Sequence, residues 1–314
     1  MPVLNEERHL AEAVAQIQGQ DYPGQWELIL ALGPSTDGTD AIAGALSDAD
    51  LRIKLIPNPS GATPAGLNAA IAAARHDLVV RVDGHALFPP DYLRVAVEVL
   101  DATGADNVGG VMAAVGTTPF EEAVAAAMTS RLGVGSARFH TGGEAGPAET
   151  VYLGAFRREA LERVGGYDES FVRAQDWEMN HRIRQTGGTV WFTPRLRVTY
   201  RPRSTVAALA RQYRDYGRWR RVVARQHRGT ISPRYLAPPL ALAGVVAGTT
   251  AGLLGLRVGW LLPGGYAVLV LGGSAVIGRR LPWRGAIRLP AVLPVMHMSW
   301  GWGFLTSPAK LGQR

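Results

Sequence analysis

The chain has no cysteine among its 314 residues. A disulfide framework and thiolate-bound zinc are therefore excluded, and the absence fits a reducing compartment. It also lacks zinc-finger ligand spacing and any aromatic-basic strand of the RNA-binding kind. Nucleic acid thus drops out of the partners suggested by a formal charge of +7 and a pI near 10. An anionic membrane surface and a phosphorylated substrate remain. The start, Met1-Pro-Val-Leu-Asn-Glu-Glu7, has no basic stretch followed by an apolar run, so it does not read as a signal peptide. A first strand confined to Pro2 to Leu4 is short for a parallel sheet, which predicts a truncated strand or a natural start upstream. Charge is missing altogether from residues 236–256 and again from 258–278. Each run is long enough to cross a bilayer core, which takes roughly 20 apolar residues. A third apolar segment, 289–306, carries Pro290, Pro294, His297 and several glycines, and is compatible with a span, a re-entrant turn or an interfacial helix.

What is present is an apolar fraction of 47%, enough for a substantial core. Residues 1–203 alternate short apolar runs with helical patterns, the mark of an α/β domain. Strands are predicted over Trp26 to Leu32, Leu51 to Ile56 and Leu78 to Val82, the last with the near-continuous apolar run expected of a central parallel strand. Leu10, Val14 and Ile17 recur at helical spacing. Thr63 is placed to cap a helix with Pro64 at its first position. Gly142 to Pro147 reads as a flexible loop and a candidate lid.

Residues 204–235 form a basic segment crowded with Tyr213, Tyr216, Trp219, Arg220, Arg221, Arg225 and Arg228, read as an interfacial helix ahead of a membrane domain over 236–314 with two or three transmembrane helices. The loop between the first two spans has only Arg257, whereas the next has Arg279, Arg280, Arg284 and Arg288. By the positive-inside rule the first span leaves the cytoplasm and the second returns, which puts residues 1–203 on the cytoplasmic side.

Ligands of open parallel sheets bind beyond the carboxyl ends of strands. Asp83 falls at such an end, and His85, two residues on, can share a metal ion with it. Taken alone, Asp83-Gly-His85 reads better as a satisfied turn aspartate and a surface histidine. Asp176 stands at a predicted helix start, where Asp is also a favoured cap. Arg81 shares the strand face of Asp83, within reach of a phosphate or of a structural ion pair.

These residues lie in an ordered series. Met1 to Glu7, Ser35-Thr-Asp-Gly-Thr39, Asn58 to Asn68, Asp83-Gly-His85, Gly154 to Arg158, Val164 to Asp168 and Gln175-Asp176 follow one another along the chain. The series resembles the inverting family 2 glycosyltransferases with a GT-A fold, in particular the membrane-bound subgroup typified by the glucosyltransferase of succinoglycan synthesis. The resemblance implies a Rossmann-like, mostly parallel sheet flanked by helices, followed by C-terminal transmembrane helices. It implies Asp176 as general base, Asp83 and His85 as ligands of a divalent metal (Mg or Mn), and Asn5, Glu6, Asp37, Asn68, Arg81 and Asp83 on the side of a nucleotide-diphosphate sugar donor. Gln212, Arg218 and Trp219 resemble the family's acceptor element, with looser spacing; an interfacial anchor is the rival role for Trp219. The acceptor implied is a glycan or a lipid-linked glycan, and the setting is polysaccharide synthesis. A helix N-terminus is expected to keep Asp176 ionised. The chain departs from the family pattern at Leu32 and Gly33, where acids usually face the nucleotide base, and at His85, which replaces the second Asp of the metal motif. The first departure lends weight to an alternative, a catalytically silent membrane subunit that binds nucleotide sugars.

Overall fold

The computed structural model describes residues 1–312; the last two residues of the predicted membrane segment lie outside the described residues. The chain divides into two compact units, Met1–Ala113 with Gly142–Tyr200, and Ala114–Thr141 with the chain from Arg201 onward. The first unit opens with β1 (Pro2–Val3), α1 (Leu10–Gln18), β2 (Leu28–Leu32), α2 (Thr39–Ala49), β3 (Ile53–Pro57), α3 (Thr63–Ala73), β4 (Leu78–Arg81), α4 (Tyr92–Thr103) and β5 (Asn107–Ala114). The chain then passes through α5 (Pro119–Met128), α6 (Arg131–Val134) and α7 (Arg138–Thr141) of the second unit. It returns to the first as β6 (Gly146–Pro147), β7 (Tyr152–Arg157), α8 (Arg158–Arg163), α9 (Gln175–Gln185) and β8 (Val190–Tyr200). The second unit resumes as α10 (Val206–Gln226), α11 (Pro233–Leu253), a 3₁₀ turn over Arg257–Trp260, α12 (Leu261–Gly278), α13 (Trp283–Ala286) and α14 (Leu289–Leu305).

In the first unit β1, β2 and β3 form a parallel sheet, and a second sheet has the order β4-β7-β5-β8-β6. Leu10, Ala13, Val14 and Ile17 of α1 are buried, as their spacing predicts. The expectation of a central parallel strand at Leu78 to Val82 is corrected. β4 is an edge strand of its sheet and pairs with β7 antiparallel, Val80 opposite Ala155. Its run is apolar because both faces are covered: Leu78 and Val80 pack on one core cluster, Val79 on another. Burial dictates the composition; strand direction does not enter. β3 starts at Ile53 rather than Leu51 because the Asp50 carboxylate accepts the Arg52 N–H at 3.0 Å and closes a turn there. The cap of α3 is also corrected: Ala62 holds that position, its N–H donated to Ser60 Oγ at 3.1 Å, while Thr63 is already helical. Gly146–Pro147 of the expected lid loop is strand, paired with β8.

In the second unit α11 and the stretch Arg257–Gly278 are long and apolar enough to cross a membrane, and their most apolar windows are only 11% and 17% buried. α14 is different: Leu289, Val292, Leu293, Met296 and Phe304 are buried. Backbone contact brings α10 and α14 together. A Cβ on Gly217 would stand 2.0 Å from the Trp300 carbonyl oxygen, and one on Gly303 1.9 Å from that of Arg214, so no larger residue fits. His297 ties α14 to its neighbours through the Leu132 carbonyl at 2.8 Å and the Tyr266 hydroxyl at 3.1 Å.

Candidate active site

The site is built where β4 ends. Arg81, its last residue, is buried, and its guanidinium faces two carboxylates. Nε donates to Asp83 Oδ1 at 3.1 Å and Nη2 to Asp83 Oδ2 at 3.4 Å. Nη1 donates to Asp176 Oδ1. Of the two roles open to Arg81 from sequence, the structure contains the ion pair, and it is double.

Asp176 is not a helix cap. Ala174 holds that position in the left-handed region, φ 62 and ψ 14, and Asp176 is the second residue of α9. Burial pushes the Asp176 carboxyl above the ordinary carboxylate range; Arg81 opposes the shift and Asp83 adds to it. At Asp83 burial acts the same way, but Arg81 and His85 outweigh it and hold the carboxyl below its usual value. One environment thus separates two acids, a property that marks functional sites.

His85, with its side chain 54% exposed, pairs through Nδ1 with Glu6 Oε1 at 2.8 Å. Glu6 is held in turn: its N–H donates to Thr39 Oγ1 at 2.8 Å. Thr39, fully buried, also donates its hydroxyl to Asp37 Oδ1 at 2.5 Å, and Asp37 Oδ2 accepts the Glu7 N–H at 3.3 Å. The Thr39 hydroxyl, with backbone N–H groups, draws the Asp37 carboxyl downward in pKa. Asn5, at φ 55, accepts the Thr36 N–H at 2.8 Å and donates its own N–H to Ser35 Oγ at 3.1 Å. Asn5 and Asp37 therefore lace the loop after β1 to the loop after β2. Thr39 is the hub that sequence reasoning left without a role, although it closes the Ser-x-Asp-x-Thr pattern.

Asn68 is likewise engaged. It donates to the Tyr167 carbonyl at 2.8 Å and to Glu169 Oε1 at 3.1 Å, and accepts the Tyr167 N–H at 2.7 Å. Gly166 makes this clamp possible, since its φ is +74 and a Cβ there would lie 2.7 Å from Asn68 Oδ1. Glu178, beside the acids, is buried in a two-point pair with Arg182 at 2.7 Å. Trp177 stacks on His181. Gln212, Arg218 and Trp219 stand on α10, in the second unit. Gln212 donates to the Tyr216 hydroxyl at 2.8 Å, Trp219 is buried and Arg218 is half-buried.

The donor set bears on the metal. Among the described residues no three His, Cys, Asp or Glu side chains converge as a self-sufficient cage. A carboxylate held ionised and an imidazole oriented by a second carboxylate fit a hard cation that takes its remaining ligands from substrate phosphates and water.

Comparison with known proteins bears on the family and the fold. The family model described as Glycosyl transferase family 2 matches residues 1–165. The succinoglycan biosynthesis protein ExoA of Rhizobium meliloti is 35% identical over 311 residues, covering 97% of this chain and 92% of that protein. A Methanococcus voltae dolichyl N-acetyl-alpha-D-glucosaminyl phosphate 3-beta-D-2,3-diacetamido-2,3-dideoxy-beta-D-glucuronosyltransferase is 25% identical, covering 69% of this chain and 70% of its own. Among solved structures, a mannosyltransferase from Pyrobaculum calidifontis in complex with GDP-Man and Mn2+ superposes with a TM-score of 0.61 at 22% identity, covering 96% of this chain and 85% of that one. TarS 1-349 of S. aureus in complex with UDP has a TM-score of 0.53 at 15% identity, covering 97% and 89%. These two likenesses concern the fold. With the family model spanning more than half of the residues and a 35% identical relative spanning nearly all of them, the chain belongs to glycosyl transferase family 2 and has its GT-A fold.

Proposed function

We propose that the protein is an inverting, metal-dependent glycosyltransferase that moves a sugar from a nucleotide diphosphate to a glycan or lipid-linked acceptor in polysaccharide synthesis, anchored in the cell membrane with its catalytic unit on the cytoplasmic side. The observation that carries the chemistry is the Arg81 bridge between Asp83 and Asp176. It sets a carboxylate suited to a metal and a carboxylate suited to a proton on one guanidinium. Support for the substrate class comes from the relative named for succinoglycan biosynthesis and from fold neighbours bound to GDP-Man and to UDP.

Asp83 and His85 would hold the divalent metal, which supplies positive charge to a departing diphosphate. Asp176 accepts the proton of the acceptor hydroxyl as that oxygen attacks the anomeric carbon, and the bond to the diphosphate oxygen breaks on the opposite face. A single displacement of this kind inverts the anomeric configuration. Burial of Asp176 strengthens it as a base, because it raises the affinity for the proton taken. Glu6 fixes the imidazole of His85, and the loops laced by Asn5, Asp37 and Thr39 form the wall on the donor side.

Support for membrane anchoring comes from the two exposed apolar helices, and for the orientation from the single Arg257 between them against four arginines in the next loop. The departure at Leu32 and Gly33 favours one other reading, a silent nucleotide-sugar-binding subunit. Asp176→Asn separates the two. Transfer from a labelled donor should fall by about 10²–10⁴-fold, the usual weight of a general base, while donor binding persists. Wild-type turnover by the variant would sink the base assignment, and no turnover by the wild-type chain with any donor would favour the silent subunit.

A further inference from the structure

The net charge of +7 is segregated. The first unit holds 14 Lys and Arg against 23 Asp and Glu, a net of −9; residues 114–141 with 201–312 hold 18 against 3, a net of +15. Asp215 is the one acid in 201–312. The cations therefore accumulate in the unit that carries the apolar helices, with almost no internal counter-charge.

Part of that charge is ordered. Arg211, Arg214, Arg218, Arg221 and Arg225 recur along α10 at steps of three and four, so they share one helix face. The stripe follows α14. The Arg221 guanidinium lies 5.1 Å from the Phe304 ring centroid, and Arg225 donates to Ser307 Oγ at 3.0 Å and to the Pro308 carbonyl at 2.8 Å. Near the start of the stripe α10, α11 and α14 border an open cleft of about 340 Å³. It is lined by Arg211 and Arg214 of α10, Leu242 of α11, and Met298, Ser299 and Trp302 of α14. Arg214 meets Asp215 at 3.6 Å, and its Nε is buried with no hydrogen-bond partner among the described residues.

Two arginines and three apolar side chains lining one cleft select a narrow ligand class. Guanidinium forks match phosphate oxygens, and a terminal phosphate offers more of them than a diester. Leu242, Met298 and Trp302 offer hydrocarbon contact that a free nucleotide would leave unused. A neutral lipid would offer no anionic acceptor to the guanidinium donors of Arg211 and Arg214. We infer that this cleft binds the terminal phosphate of a membrane lipid, gripped by Arg211 and Arg214, with the first part of its chain on Leu242, Met298 and Trp302. The inference rests on the membrane reading above and is independent of the role given to Asp176.

The test uses the full chain in detergent, with radiolabelled farnesyl phosphate as probe and farnesol, inorganic phosphate and phosphatidylglycerol as competitors. Saturable binding is expected, with each competitor weaker by about tenfold or more, and the double variant Arg211→Gln/Arg214→Gln losing about tenfold or more in affinity. Trp302→Asn, at a position 57% exposed and so tolerant of change, should weaken farnesyl phosphate but not inorganic phosphate. Undiminished binding by the double variant or by Trp302→Asn overturns the inference. Equal displacement by inorganic phosphate, which marks a bare anion site, or by phosphatidylglycerol, which marks a generic anionic surface, also overturns it. Carbonate extraction of native membranes tests the anchoring separately: release of the chain would sink the membrane reading while leaving the detergent affinity measurable.

Discussion

Arg81 and Asp176 are 95 residues apart in sequence and share a hydrogen bond through Nη1 and Oδ1. The other edge of the same guanidinium holds Asp83. One buried cation therefore ties the end of β4 to the first turn of α9, and it sits among two carboxylates and the buried Tyr167, whose hydroxyl is pushed up in pKa by burial and by Asp176.

Removing that cation should be costly in two measurable ways. Arg81→Gln leaves two partly buried acids without their counter-charge, and a loss of about 1–3 kcal/mol in unfolding free energy is expected. Asp176 works as a base only when ionised, so kcat rises with pH through its folded-state pKa, already above the ordinary range. Arg81 opposes that rise, so its loss moves the acid limb of the kcat profile to higher pH. Arg81→Lys keeps the charge without the fork and should fall between. Linkage has the same sign: an acid whose folded pKa is raised costs stability above its unfolded pKa, and the cost disappears as pH falls below it. Urea titrations and pH profiles of the three proteins check this. An acid limb unmoved in Arg81→Gln would remove Arg81 from the electrostatics of the base.

The Glu6–His85 pair yields a second prediction. Orienting carboxylates behind metal-binding histidines are commonly worth about 10–100-fold in affinity. Glu6→Gln should reduce manganese affinity, measured by calorimetry with the nucleoside diphosphate present, by that order. Asp83→Ala should reduce it further. Because a histidine ligand must be neutral, affinity should decline as pH drops through the imidazole range and should lose that dependence in His85→Asn. The same pH dependence persisting in His85→Asn would exclude the imidazole as a ligand.

The proposed roles of Asp83, His85 and Asp176 draw on short local patterns that come in order along the chain. Arg81 was legible only as a residue on the face of Asp83. Its partner in α9 is set by tertiary packing, which no local spacing records. The direction of β4 escaped for a related reason: Leu78, Val79 and Val80 report burial on two faces, and a strand at a sheet edge can be as buried as a central one. Pro119–Met128 falls within the expected α/β domain of residues 1–203, yet it groups with the C-terminal segment. Its apolar face carries no label for the partner that covers it.

Asn68 separates a ligand-binding role from a structural one. The family resemblance puts it on the donor side, whereas its three hydrogen bonds run to Tyr167 and Glu169. Asn68→Ala leaves the Tyr167 N–H and carbonyl without these partners, at a cost of about 1–3 kcal/mol. Thermal and urea unfolding should register that loss while the KM for donor stays within about tenfold, the change one lost hydrogen bond would make. A large rise in KM at unchanged stability would restore Asn68 to the donor site.

Ala174 offers a test of strain beside the base. At φ 62 its side chain pays for a left-handed backbone, about 1–2 kcal/mol for a residue with a Cβ. Glycine removes that penalty but adds freedom to the unfolded chain, about 0.4–1 kcal/mol in the other direction. The balance favours Ala174→Gly by roughly 0.5–1 kcal/mol. Ala174→Val should destabilise, since a β-branched residue fits the left-handed region worst. The turn at Ala174 also sets the direction in which α9 starts, and Asp176 lies two residues on. Valine is therefore expected to lower kcat more than it raises KM, by misplacing the carboxylate relative to the acceptor hydroxyl. If glycine leaves the unfolding midpoint unchanged and valine leaves kcat intact, the left-handed turn neither stores strain nor aims the base.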